Sequence, residues 1–149
     1  MRSCGEAHDR AARPTPDSNM ASTKIDWSFN KIAKLQDLSD LAELLFLNNR
    51  NQQHAFLVVW TSIKWSPHRL VPNFLVIAQQ HGISRRTMER VRAKMRRMGL
   101  IDHVSRFNKA YGCREGWILS GRFERSLREL AERVAVLKDK TRSSRDKDE

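Results

Sequence analysis

The sequence predicts a mainly α-helical protein with one small β-hairpin. Three observations carry the prediction: apolar residues recur at intervals of three and four, glycines at 82 and 99 interrupt that period, and two short apolar runs then flank a polar, glycine-containing connection. With 149 residues and 40% apolar composition, the chain can build one hydrophobic core and is too short for a large multidomain enzyme.

Residues 1–23 carry Pro14 and Pro16 among small and polar side chains with no apolar period, and read as a disordered arm; Met20 begins a sensible sequence of its own. A helical extension follows over 24–50. There Phe29, Ile32 and Ala33, then Leu38, Leu41, Ala42 and Leu45, keep helical spacing as one bent or two short helices, with Asp40 and Glu43 as a capping pair. From His54 to Trp65, Phe56, Val59, Trp60 and Ile63 share one helical face, and the length of the run favours helix over buried strand. Ser66 and Pro67 end it, because proline disfavours helical geometry in the residue before it.

Pro72 suits the first turn of the next helix, whose apolar face is Phe74, Ile77, Ala78 and His81. Gly82 stops that helix in a left-handed conformation, and Ser84 caps another that places Met88, Val91, Met95 and Met98 on one side. Gly99 terminates it. Leu100–Ser105 and Gly116–Leu119 read as strands joined by the long polar connection RFNKAYGCRE. Ser120 then caps a carboxy-terminal helix over 121–138 with Phe123, Leu127, Leu130, Val134 and Leu137 on one side and Glu124–Arg128 and Glu129–Arg133 pairs. Residues 139–149 read as a charged tail.

Charge points to the partner. The chain holds 28 Lys and Arg against 17 Asp and Glu, a formal charge of +11. Ten basic residues fall between Ser84 and Arg114 against two acidic ones, a surplus of eight, whereas the other 118 residues carry a surplus of three. A solubilising surface spreads its charge; a polyanion footprint gathers it. At about 100° per residue, the face of the second helix opposite its methionines presents Arg86, Glu89, Arg90, Ala93 and Arg97, and Arg85 lies near its start. Arginine forks match guanine O6 and N7 or phosphate oxygens, and residues near the helix start reach deepest into a major groove. Glu89 has two readings, acceptance from cytosine N4 or pairing with Arg85 or Arg92. The connection adds Arg106, Lys109 and Arg114, with Tyr111 either stacking on a sugar or packing the hairpin.

Two helices joined by a glycine-centred break and followed by a hairpin form a supersecondary unit. The stretch IAQQHGISRRTMERVRAKMRRMGLI resembles the helix-turn-helix of winged-helix DNA-binding proteins, found in bacterial, archaeal and phage regulators and in amino-terminal domains of some replication initiators. The resemblance covers residues 51–120. Ala78 stands where the two helices touch, Gly82 turns the chain, Ile83 plugs the turn, Ser84 caps, Met88 and Val91 bury the second helix, and Gly-Leu-Ile precedes a strand. The resemblance implies a winged helix-turn-helix flanked by amino- and carboxy-terminal helices, with the 106–114 wing against the DNA backbone or minor groove.

The expected function is therefore sequence-specific double-stranded DNA binding, as a transcriptional regulator. The alternative is a winged-helix module that docks onto protein or RNA in a replication or mobile-element complex. Leu41, Leu44, Leu45 and Leu47, with the stripe Phe123–Leu137, suggest a homodimer; the same stripe could instead cover the amino-terminal helices of its own chain. No effector domain for a small molecule is evident. His54, His68, His81, His103 and Cys113 lack zinc-site spacing, so no metal or cofactor is expected, and Trp60, Trp65 and Trp117 read as core. There is no phosphate loop, nucleophile motif or paired carboxylate to suggest an enzyme. Cys4 and Cys113 read as free thiols, and the lack of a signal peptide or membrane-length apolar run leads to a cytoplasmic, nucleoid-associated expectation.

Overall fold

The computed structural model describes residues 22–108 and 112–146, with backbone alone at 106–108, 112–113 and 141–146. The described chain is mainly helical: α1 (Phe29–Ala33), α2 (Leu38–Leu45), α3 (Arg50–Trp65), α4 (Leu75–Gln80), α5 (Arg85–Met98), β1 (Ile101–Asn108), β2 (Gly112–Leu119) and α6 (Arg122–Asp146). The two strands pair antiparallel, from Ile101 opposite Leu119 to Asn108 opposite Gly112. The expected arm lies almost wholly outside the described residues, as does Cys4.

The amino-terminal extension is two short helices. α2 opens one turn before the expected cap: the Asp37 carboxylate accepts the Asp40 N–H at 2.9 Å while the Asp40 carboxylate accepts the Asp37 N–H at 3.4 Å. Asp40 is thus the third residue of a capping box rather than its first, and Glu43 takes no part. α2 buries Ala42, Leu44 and Leu45 against its own chain, so Leu44 and Leu45 are not free to form a dimer interface.

α3 is the central element, packed on α2, α4, α5 and β2, with Ala55, Phe56, Val59 and Ile63 fully buried. It begins at Arg50 because Asn49 accepts the Gln52 N–H at 3.1 Å; the polar first turn has no apolar period to reveal it. It ends at Ser66 and Pro67 as the sequence requires. Trp65, expected in the core, is 77% exposed at the last turn, with the Lys64 ammonium over its ring.

Pro72 is not in a helix. Val71 forms an isolated bridge with Trp117, the two residues exchanging N–H···O bonds of 3.0 and 2.8 Å, and this holds the chain extended up to Pro72. α4 therefore starts only at Leu75, whose N–H the Asn73 side chain accepts at 2.7 Å. Phe74 and Ala78 are buried, whereas His81 is exposed with its ring 6.4 Å from that of His54. Gly82 turns the chain at φ 63°, the Ile83 N–H bonds back to Ala78 at 2.8 Å, and Ser84 caps α5 by accepting the Thr87 N–H at 3.1 Å. Met88, Val91 and Met95 seat α5 in the core.

The polar connection of the hairpin is mostly strand, since β1 and β2 extend through Arg106 and Arg114, which pair in register. α6 starts where expected, its first N–H, on Arg122, bonding to Ser120 Oγ at 3.2 Å. It then continues to Asp146, through most of the residues expected as a tail. Residues 138–146 contain neither glycine nor proline, and Lys and Arg among them extend a helix readily. Leu130 and Leu137 are 56% and 62% exposed, so the stripe does not fold back over the amino-terminal helices.

Candidate nucleic-acid interface

Seven basic residues lie on α5, and the fold divides them into three groups. Lys94 points inward. Its ammonium donates to the backbone oxygens of Lys24, at 2.7 Å, and Leu45, and lies 4.8 Å from the Phe46 ring centre. Burial pushes this ammonium below the usual lysine range, while the two carbonyl oxygens it donates to favour its charged form. Lys94 is therefore a structural cation, not part of the footprint counted from sequence.

Arg92 and Arg96 form the second group, one turn apart on the flank facing the hairpin. Their guanidinium carbons lie 5.2 and 5.7 Å from the centre of the Trp117 ring, which is also 5.8 Å from Phe74 and 4.9 Å from His103. Arg85 belongs near this flank and pairs with Glu89 at 3.0 Å. This pair is one of the two readings of Glu89 taken from the sequence.

The third group is Arg86, Arg90 and Arg97. These exposed side chains have no hydrogen-bond or ion-pair partner among the described residues, and with Ala93 they line one side of α5 over about 16 Å, at 1.5 Å per residue. Buried Met88, Val91 and Met95 on the opposite side fix their direction. On the hairpin, Arg114 is half-buried opposite Arg106. The side chains of Arg106 and Cys113 and the whole of Lys109 and Tyr111 lie outside the described residues.

The sequence pattern missed the roles of Trp117 and Lys94. Lys94 was legible in principle, because at 100° per residue it falls within about 60° of Val91, on the shoulder of the buried face. No local pattern marks Trp117, whose contacts come from three separate elements.

No group of three or more His, Cys, Asp or Glu side chains among the described residues is placed to hold a metal ion. No described helix is long and apolar enough to cross a membrane. No family model, curated protein or solved structure matches the chain.

Proposed function

We propose that the chain binds double-stranded DNA as a winged helix-turn-helix protein, with α4 and α5 as the helix-turn-helix, β1 and β2 as the wing, and a role in transcriptional regulation. The observation that carries the proposal is the row Arg86, Arg90, Arg97: three outward arginines without partners among the described residues, on a helix locked in place by its opposite face. Arginine forks without carboxylates call for an external anion, and a helix fits a major groove. Ala93 lies between them and lets the helix approach closely. The wing supports the same reading, since Arg106, Lys109 and Arg114 gather basic residues on the hairpin, and phosphate contacts of this kind position a protein on a duplex.

Labelled duplex DNA, titrated at several salt concentrations, tests the proposal. Six phosphate contacts, three from α5 and three from the wing, give a slope of log K against log salt of about −5. Absence of binding at low salt, or a flat salt response, overturns it. The exposed stripe on α6 supports action as a homodimer, which would place two α5 helices on successive major grooves about one DNA turn apart.

A further inference from the structure

Between the last turn of α5 and the first three turns of α6 lies a groove of about 760 Å³, walled by Arg97, Arg122, Arg125, Glu129, Leu130 and Arg133, with Leu130, which also belongs to the apolar stripe of α6, at its edge. Four arginines thus meet one glutamate. Two of the four are tied down: Arg122 to the Asp102 carboxylate and, at 3.1 Å, to the Arg96 carbonyl, and Arg133 to Glu129 at 2.8 Å. Arg97 and Arg125 have no side-chain partner among the described residues.

We propose that this groove holds a stretch of phosphodiester backbone, belonging to the same DNA but outside the base pairs met by α5. The proposal rests on the DNA-binding reading and extends it. Continuity is its first support: Arg97 is both the last member of the α5 row and a wall of the groove, so a strand following Arg86 and Arg90 runs on into it. Chemistry is the second. Guanidinium groups bind phosphate oxygens bidentately, and Glu129, the single carboxylate, is already occupied by Arg133. The groove walls carry no aromatic ring for base stacking, which selects the backbone over bases. The third support is that the walls are set in advance. Arg122 bridges β1 and α5, and the Phe123 N–H bonds to Gly99 at 3.0 Å, so the start of α6 is fixed against the end of α5 before any ligand arrives.

The test uses hydroxyl-radical footprinting and salt titration on a duplex selected by the full-length protein. The wild type should protect a core and an adjoining run of sugars. Arg125→Glu should lose the adjoining protection, keep the core and lower the salt slope by about 1, while Arg128→Ala, an exposed α6 arginine outside the groove, changes neither. Arg125 is solvent-exposed, so its replacement leaves the melting curve in place. If the wild type binds DNA and Arg125→Glu shows the same footprint and slope, the groove proposal fails while the DNA reading stands. Failure of the wild type to bind any duplex removes both. Displacement of DNA-independent polyglutamate from the wild type but not from Arg125→Glu, with DNA binding unchanged, would also overturn it, in favour of an acidic protein partner.

Discussion

Lys94 on α5 donates from its ammonium to the carbonyl oxygen of Leu45 at the end of α2, 49 residues earlier in the chain. The same ammonium bonds to Lys24, so one cation ties the amino-terminal extension to the helix that carries the candidate site. Lys94→Met keeps most of the apolar stem but leaves two carbonyls without their donor. It should lower unfolding free energy by roughly 1–3 kcal/mol. Because this cation makes no outward contact, DNA affinity measured below the melting point should hold. A variant that folds normally but binds weakly would put Lys94 in the interface.

Two glycines should fail for different reasons. A Cβ at Gly82 meets nothing within 4 Å, so the cost of Gly82→Val is the backbone strain of φ 63°, about 1–2 kcal/mol and more for a β-branched residue; Gly82→Asn, which tolerates that region, should cost least. At Gly116 a Cβ falls 2.6 Å from the Val71 carbonyl oxygen, and Gly116→Ala should break the bridge that seats Trp117. Thermal melts rank the three. Equal losses for Gly82→Asn and Gly82→Val would show that φ is not what Gly82 supplies.

These cases also mark the limits of the sequence. Gly82, Ser84 and Gly99 were legible because each acts on its immediate neighbours, through a left-handed turn or a cap. The strand bridge from Val71 to Trp117 spans 46 positions and leaves no periodic trace, so the sequence points to Pro72 for a helix start that the fold delays to Leu75. Likewise the count of arginines on α5 was readable, but its division was not: whether Arg92 meets solvent or an indole depends on where β2 returns. The outward row Arg86, Arg90, Arg97 was readable because helix geometry alone separates it from the methionines.

That division makes a prediction about binding. Arg86→Ala and Arg90→Ala should each relax discrimination at one or two base pairs by roughly 1–3 kcal/mol, whereas Arg106→Ala and Lys109→Ala should weaken all sequences alike. Arg92→Ala should instead lower stability through its lost stacking on Trp117, by about 0.5–1 kcal/mol, with little change in salt slope. Competition against point-mutated duplexes measures the first effect. An exchange of the two patterns means that the hairpin, not α5, reads the bases.

Asp102 gives a pH dependence. Arg122 beside it holds its carboxyl below the ordinary 3.8, so the unfolded chain takes up this proton first as pH falls. The stability from the pair is complete above about pH 5 and is lost as pH drops from 3.8 through the lowered value. Both side chains are partly exposed, which limits the effect to about 1 kcal/mol or less. Asp102→Asn should therefore be less stable than wild type at neutral pH and equal to it in strong acid. A gap that persists in strong acid would show that the pair's charge is not its source.

Assembly depends on the stripe of α6. Phe123, Leu127, Leu130, Val134 and Leu137 alternate spacings of four and three, the seam of a two-stranded coil, and Leu130, Val134 and Leu137 are exposed. With Leu44 and Leu45 buried in the core of their own chain, α6 must supply most of any interface. Two copies related by a two-fold axis can pair α6 in parallel or antiparallel. A parallel pair sets Arg133 against Lys138 of the second copy, which repel, while an antiparallel pair sets Glu124 against Lys138, which attract. The antiparallel dimer is therefore expected. Sedimentation at micromolar concentration should give twice the 17.4 kDa chain mass, falling to one chain for Leu130→Asp. Lys138→Glu, which places Glu against Glu124 in the antiparallel arrangement, should weaken association; in a parallel pair it would meet Arg133 and strengthen it. A wild type that sediments as a single chain removes the dimer and, with it, the expectation of a palindromic DNA site.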